Sequence, residues 1–488
     1  MKLTTVVLAA AMMMGAMAAD AKSPKREFRG AWMHTIFQGQ YHNQNSAQNQ
    51  EYLRGQLDSL QALGVNAVLF QVRPQADAFY PSELEPWSRF LTDDGKAPEP
   101  YWDPLQFMID ETHARGMELH AWLNPYRVTS SANQTLPAGH LYHKEPERFL
   151  TYDGKIYFDP ALPENRQFIC DVVGDIVSRY DVDGIHFDDY FYPYPAAGKP
   201  FPDDKSYAKY GNGQDLGDWR RKNVDLLIEG VHDRIAATKP WVRFGVSPFG
   251  IHRNKSTDPN GSDTNGLQNY DALFADVLLW EQEGWIDYVL PQLYWELEHK
   301  AASYIVLVDW WNKHAGNKRH LYIGQDVNKT MQLPDLAPSK EKSQLRHKIE
   351  LARAGENIKG NCWWPGYSLT KNVGGVADSL KTYFQATPAL VPEYSWISTA
   401  TPAAPAVSTA DKKLVWQAAA PAGTVEDVVR YVIYRFPEGS DVDVNDSDAI
   451  VAITPATDWT PTASGTYVVT ALNRVNNESA PSAPVRIK

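Results

Sequence analysis

With 488 residues, 47 Lys+Arg against 59 Asp+Glu and a net charge of −12, the chain is long enough for a large core plus an accessory module. That balance, with no basic run, argues against nucleic acid or an anionic membrane surface as partner. The 16 Trp, 25 Tyr and 17 Phe either fill a core or offer flat faces to ligands such as sugar rings.

The chain opens "MKLTTVVLAAAMMMGAMAADAKS". Lys2, a short apolar run from Val6 to Met17, and small residues around Ala18 and Ala21 predict a secretory signal peptide over residues 1–21, too short for a membrane span. No cysteine follows the run, so the expected mature protein is exported, periplasmic or extracellular, and not a lipoprotein. No later stretch is apolar enough to span a bilayer.

From 27 to 385, apolar strand patterns alternate with amphipathic helix patterns. Strands are expected at 28–34, 66–73, 118–124, 182–189, 243–249, 287–294, 320–326 and 360–365. Helices are expected at 51–63, with Leu53, Leu57, Leu60 and Leu63 on one stripe, and at 103–115, with Asp103 as N-cap and Pro104 in the first turn. Further helices are expected at 164–180, 218–237, 271–283 and 341–354. Eight strand–helix units predict a closed (β/α)₈ TIM barrel in the α/β class; an open doubly wound sheet is the alternative, and no Gly-rich phosphate loop supports it.

Past Tyr383 the texture changes. Residues 386–407 are rich in Pro, Ala and Thr and read as a linker, followed over 408–488 by short strand-like runs without helix patterning, a small β-sandwich. A barrel ending near residue 396 is expected to fold alone.

Cys170 and Cys362, the two cysteines, read as buried thiols, and no CxxC or HExxH spacing offers a metal site. Neither metal nor cofactor is expected. His34, His120 and His186 read as satisfied structural histidines.

Side chains alternate along a barrel strand between interior and helix-facing sides. In "DGIHFDDYFYP" (183–193), Ile185 and Phe187 take the helix side, so Gly184, His186 and Asp188 face inward. The same parity turns His120, Trp122 and Asn124 inward, with Gln71 and Arg73 from the second strand and Gln292 and Tyr294 from the sixth. Strand ends converge at the C-terminal mouth, where barrel enzymes place their chemistry. Asp188 is therefore the candidate catalytic acid. Adjacent Asp189 is expected to orient the loop or bond Arg127; the competing reading makes both acids turn caps. The carboxylates placed to work with Asp188 are Glu85, Glu296 and Asp77. Each is equally readable as a loop salt-bridge acid. Arg73, Asp77, Asn124, Arg127, Asp189, Tyr190, Gln292, Tyr294 and Trp295 are the candidate substrate-binding residues.

The segments "FRGAWMHTI", "FQVRPQADAFYPSELEPWS", "HAWLNPYR", "DGIHFDDYFYP", "FGVSPFGIHRN" and "IDYVLPQLYWE" together resemble the glycosyl hydrolase-like 10 family of bacterial envelope proteins, in order across most of residues 27–385. The resemblance implies a (β/α)₈ barrel acting on extracytoplasmic polysaccharide, with peptidoglycan glycan strands the leading candidate. It implies a nucleophilic Asp on the fourth strand, matched by Asp188; the fifth strand, "VSPFGIHRN", has no carboxylate where amylase-like barrels carry their acid. "YVIYRF" and "GTYVVTALNRVNNESAPS" resemble a fibronectin type III domain, implying a spacer or docking module. The expected function is an exported glycoside hydrolase with a polysaccharide as partner; the alternative is a non-catalytic carbohydrate-binding barrel.

Overall fold

The computed structural model describes residues 23–92, 95–316 and 318–488. The expected signal peptide lies outside these residues. Eight strands, β1 (Phe28–Met33), β2 (Ala67–Arg73), β3 (Glu118–Leu123), β4 (Gly184–Phe187), β5 (Arg243–Val246), β6 (Tyr288–Val289), β7 (His320–Asp326) and β8 (Ile358–Trp364), close into a barrel. Each pairs in parallel with its sequence neighbour, and β1 pairs in parallel with β8. The strands are almost entirely buried, as parallel strands sandwiched between an interior and a helix layer must be.

The helix layer follows its sequence signals. Helix α1 (Ser46–Ala62) buries Leu53, Leu57 and Leu60 and starts at a reciprocal Asn45–Gln48 capping box. In α2 (Pro104–Ala114), Asp103 accepts the Gln106 N–H at 3.1 Å and Pro104 occupies the first turn. Helix α3 (Pro163–Arg179) buries Ile169, Val172, Val173, Ile176 and Val177, and lies beside α4 (Leu216–Thr238).

Two helices depart from expectation. The stripe at 271–283 is broken at Phe274, which adopts a left-handed φ of 54°; Asp276 then caps α5 (Val277–Glu283). Helix α6 (Tyr304–His314) precedes β7 where no helix was expected. Its buried Tyr304, Leu307, Val308 and Trp311 recur at helical spacing, and Asp309 and Lys313 pair on the exposed face at 2.6 Å. Helix α7 (Leu345–Ala354) completes the layer.

Beyond the barrel lie two antiparallel sheets. One is built on the long strands Val428–Phe436 and Gly465–Asn473, flanked by Ile450–Thr454 and Val485–Ile487; the other holds Ser408–Ala410, Lys413–Val415 and Asp458–Trp459. This all-β unit does not hang from a loose spacer. In the segment expected as linker, Ala389, Leu390, Val391 and Tyr394 are buried, Leu390 exchanges backbone hydrogen bonds of 2.9 Å with Lys25 and Glu27, and Trp396 Nε1 donates to Asp287 at 2.7 Å. Proline content disfavours a helix there but says nothing about where Tyr394 and Trp396 bury.

Through these contacts the β-unit closes the floor of the barrel, at the N-terminal ends of its strands. Glu118 opens β3 and is fully buried. It receives hydrogen bonds of 3.0 Å from Arg430 and from the Asn476 side chain, both in the β-unit. Arg243, opening β5, approaches Glu118 at 2.7 Å, near in distance though not aligned as a hydrogen bond, and donates to the Arg474 carbonyl at 2.9 Å. Burial works to raise the Glu118 pKa, but Arg243, His120 and Arg430 together hold it well below the usual carboxylate range.

A barrel ending near residue 396 is therefore expected to lose its cooperative thermal transition. In the full chain, Arg430→Ala should cost about 3 kcal/mol, since it strips one cation from a buried carboxylate. Thermal unfolding at neutral pH checks both; a truncated barrel that melts like the full chain refutes the floor contact as a stabilising element.

Candidate active site

A chain of polar groups runs up the barrel axis from that floor. Glu118 faces His120 Nε2 at 3.1 Å, His120 Nδ1 lies 2.9 Å from the Tyr288 hydroxyl, and the same hydroxyl lies 3.0 Å from His186 Nδ1. At the top, Trp32 Nε1 donates to His186 Nε2 at 3.2 Å, with Ser247 Oγ 3.0 Å from that nitrogen. An indole N–H can only donate, so His186 accepts at Nε2 and carries its proton on Nδ1. Tyr288 then receives from His186 and donates to His120, whose remaining proton points at Glu118. Burial and the neighbouring His120 push the His186 pKa well down, in keeping with a neutral ring. His120 and His186 are thus accounted for by hydrogen-bond partners, as expected, whereas His34, bonded to Gln38 through Nε2, keeps a buried Nδ1 without one. Among the described residues no group of three or more His, Cys, Asp or Glu is arranged to hold a metal.

Above this chain the mouth opens. Asp188 and Asp189 follow the last residue of β4, and both are buried, at 8 % and 2 % exposure. Asp188 Oδ1 accepts the Asp189 backbone N–H at 2.9 Å and the Gln292 amide at 3.1 Å, while the same amide donates to the Ser247 carbonyl at 3.0 Å. Asp189 Oδ2 accepts a short hydrogen bond from the Tyr194 hydroxyl. Burial raises the Asp188 pKa against the pull of the Asp189 N–H and Arg127. Burial raises that of Asp189 further, and the Asp188 charge adds to it. Two such groups cannot both ionise cheaply, so they titrate as a pair displaced above the ordinary carboxylate range.

Aromatic rings surround the pair. Tyr190, Tyr194, Phe249 and Trp295 form a succession with centroids 5.8, 6.1 and 5.4 Å apart. Trp32 meets Tyr294 at 6.4 Å, and Trp122 meets Trp364 at 6.0 Å. Tyr294 feels the charge of Asp188, which together with burial raises its pKa well above the usual phenol value. The Arg127 guanidinium lies 4.7 Å from the Tyr190 ring centre and donates to the Pro74 carbonyl at 2.9 Å. Asp188, Asp189, Arg127, Tyr190, Gln292 and Tyr294 are therefore assembled as expected, with Trp295 at the rim.

Other candidates are spent elsewhere. Strict alternation turns Arg73 inward, but the β2–β3 register slips between Gln71 and Arg73. Arg73 instead forms a buried two-pronged pair with Glu85, at 2.7 Å from Nε and 2.5 Å from Nη2, and donates to the Asn124 and Pro125 carbonyls. Glu85 is thus the loop salt-bridge acid. Asn124 donates to the Pro74 carbonyl at 3.1 Å, bracing the same loop. Glu296 is half-buried beyond β6, where its charge acts on buried Lys348; no direct contact joins it to Asp188. Asp77 lies in a side groove with Ser88 and Arg89. Tyr194 and Ser247 were absent from the expected set; the aromatic spacing of "DDYFYPY" is the signal that marks Tyr194.

Residues 27–339 match the glycosyl hydrolase-like 10 family, close to two thirds of the sequence. The chain belongs to that family. Glycosyl hydrolase YngK of Bacillus subtilis (strain 168) is 42 % identical over 407 residues, covering 81 % of this chain and 79 % of that protein. Glycosyl hydrolase DigH of Escherichia coli K12 is 41 % identical over 330 residues, 63 % of this chain and 74 % of that one. Among solved structures, the catalytic domain of β-amylase from Paenibacillus polymyxa aligns with a TM-score of 0.48 at 13 % identity, over 75 % of this chain and 99 % of that one. Membership in a glycosyl hydrolase-like family fits a carbohydrate-acting barrel whose mouth carries buried acids among aromatic rings.

Two substitutions separate scaffold from site. Glu85→Gln should cost about 3 kcal/mol by leaving Arg73 buried without its counter-charge. Asp189→Asn should do the reverse at alkaline pH. The folded pKa of Asp189 lies above its unfolded value of about 4, so its contribution is fully present below that value and lost as pH rises through the folded pKa. The melting temperature of Asp189→Asn relative to wild type should therefore climb from pH 5 to pH 9. A flat difference across that range refutes the raised pKa.

Proposed function

We propose that this protein is an exported glycoside hydrolase acting on an envelope polysaccharide, with the glycan strands of peptidoglycan as the leading substrate. The observation that carries the proposal is the buried, adjacent Asp188 and Asp189 carboxyls, ringed by aromatic side chains at the mouth of a carbohydrate-acting barrel. Opposite protonation of two neighbouring carboxyls is what acid and charge-stabilising roles require. Asp189 gives its proton to the glycosidic oxygen as the C–O bond breaks. Asp188 faces the positive charge developing at the anomeric carbon; water adds there, its oxygen becoming the new hydroxyl and its released proton returning to Asp189. Tyr190, Tyr194, Phe249 and Trp295 offer faces on which sugar rings stack, and Gln292 fixes the Asp188 carboxylate from behind.

The pairing also bears on the route. Carboxyls that flank a sugar ring on opposite faces stand about 5–9 Å apart, whereas these belong to consecutive residues. With Glu85 held by Arg73, a route in which the substrate's own 2-acetamido oxygen attacks, its N–H steered by Asp188, suits the site better than a separate protein nucleophile. The second reading, a non-catalytic binding barrel, draws support from the fifth strand, which has no carboxylate. The β-unit, read as a fibronectin type III-like module, closes the barrel floor and leaves its outer face for a wall-associated docking partner.

Purified glycan strands, with and without attached peptides, should be shortened by the wild-type chain, as read by mass analysis of the products. Asp188→Asn and Asp189→Asn should each lower turnover by about 10²–10⁴-fold while still binding strands. Full turnover by both variants would move the chemistry elsewhere, and wild-type binding without cleavage would favour the non-catalytic reading.

A further inference from the structure

A second feature lies among the loops after β1, β2 and β3. Phe37, in the loop after β1, is 71 % exposed and holds a left-handed φ of 59°. That conformation is rare for a bulky side chain and survives where the surroundings impose it, often beside a binding site. Its ring meets Phe90 edge-to-face at 5.5 Å, and the Arg89 guanidinium lies 5.5 Å from the Phe90 ring centre. Arg89 also lines a groove of about 430 Å³, together with Ser131, Gln134, Leu136 and Pro137, between the loops after β2 and β3.

The groove deepens into a recess of about 10 Å³ lined by Asp77, Val128 and His140. That is room for one hydroxyl or amide group. His140 is fully used: Nδ1 accepts the Tyr142 N–H at 3.0 Å, so Nε2 donates to the Ala76 carbonyl at 3.1 Å. Asp77 is not. It is 7 % exposed, and Oδ2 accepts from Ser88 Oγ at 2.9 Å and from the Arg89 N–H at 3.3 Å, while Oδ1 has no partner. A buried carboxylate oxygen without a donor is costly, and a ligand that supplies one is favoured. Burial pushes the Asp77 pKa up to about 6, which leaves it mainly an acceptor at neutral pH.

We propose that this groove is a second carbohydrate subsite, remote from the cleaved bond, for an acidic sugar of the same polymer. The sugar ring stacks on Phe37 and Phe90, its carboxylate meets Arg89, and a hydroxyl or amide N–H fills the recess against Asp77 Oδ1. The subsite rests on the glycan reading of the mouth and gives it a direction: strands lie across the loops after β1, β2 and β3, so long chains bind better than short ones.

The test uses the full chain carrying Asp188→Asn, so that binding is read without cleavage. Calorimetry would compare a disaccharide and a hexasaccharide of the glycan strand, the latter also with its carboxylates amidated. Phe37→Ala should weaken hexasaccharide binding about tenfold and leave the disaccharide unchanged. Arg89→Ala should abolish the preference for free over amidated carboxylates. Both side chains are at the surface, so neither change disturbs the core. Chain-length-dependent binding that needs Phe37 would uphold the subsite even if the wild type cleaved nothing, which separates it from the hydrolase reading. Equal binding of both lengths, indifference to Phe37 and Arg89, or no binding at all would overturn it.

Discussion

Two buried carboxyls on consecutive residues repel, and the mouth of this barrel is organised around containing that repulsion. Asp188 is steadied by the Gln292 amide and the Asp189 N–H, Asp189 by the Tyr194 hydroxyl, and Arg127 lends positive charge from across the Tyr190 ring. Burial excludes the water that would screen the pair, which pushes both carboxyls toward the protonated form. A turn cap has no need of such an arrangement. The stability it costs is of the kind that proteins carry at their working sites.

The site in turn stands on a barrel interior that is unusually polar along its axis. Glu118, His120, Tyr288 and His186 satisfy one another in a fixed donor order, ending on Trp32 and beside Ser247, whose carbonyl holds the same Gln292 that holds Asp188. Half-satisfied buried networks are unstable, whereas fully connected ones specify a single arrangement. The anionic foot of this one, Glu118, depends on Arg243 within the barrel and on Arg430 and Asn476 from the β-unit. The C-terminal sheets thereby hold the foot of the same network whose upper end lies beneath the mouth.

All eight barrel strands were legible in the sequence because buried parallel strands are short, continuous apolar runs between caps and glycines. Parity along β3 and β4 also placed His120, His186 and Asp188 correctly, since an uninterrupted strand alternates strictly. It failed at Arg73, where one slip in register redirects the side chain, and with that failure Glu85 changed from candidate acid to counter-ion. Helix α6 is legible too, since Tyr304, Leu307, Val308 and Trp311 recur at helical spacing with Asp309 and Lys313 opposite. Where the segment after Tyr383 packs is decided by its aromatic residues rather than its prolines. The protonation relation of Asp188 and Asp189 was out of reach of the sequence: adjacency suggests coupling, but only burial of both groups fixes its sign.

The central claim is that the Asp188–Asp189 pair keeps one proton at neutral pH. Carbon-13 NMR of the full chain with labelled aspartate carboxyls reads this directly. At pH 7 the wild type should show a protonated carboxyl that is missing from Asp189→Asn, and that titrates above the ordinary aspartate range. A wild-type spectrum in which the Asp188 and Asp189 carboxyls are both ionised at pH 7, or a protonated signal that survives in Asp189→Asn, would contradict the account.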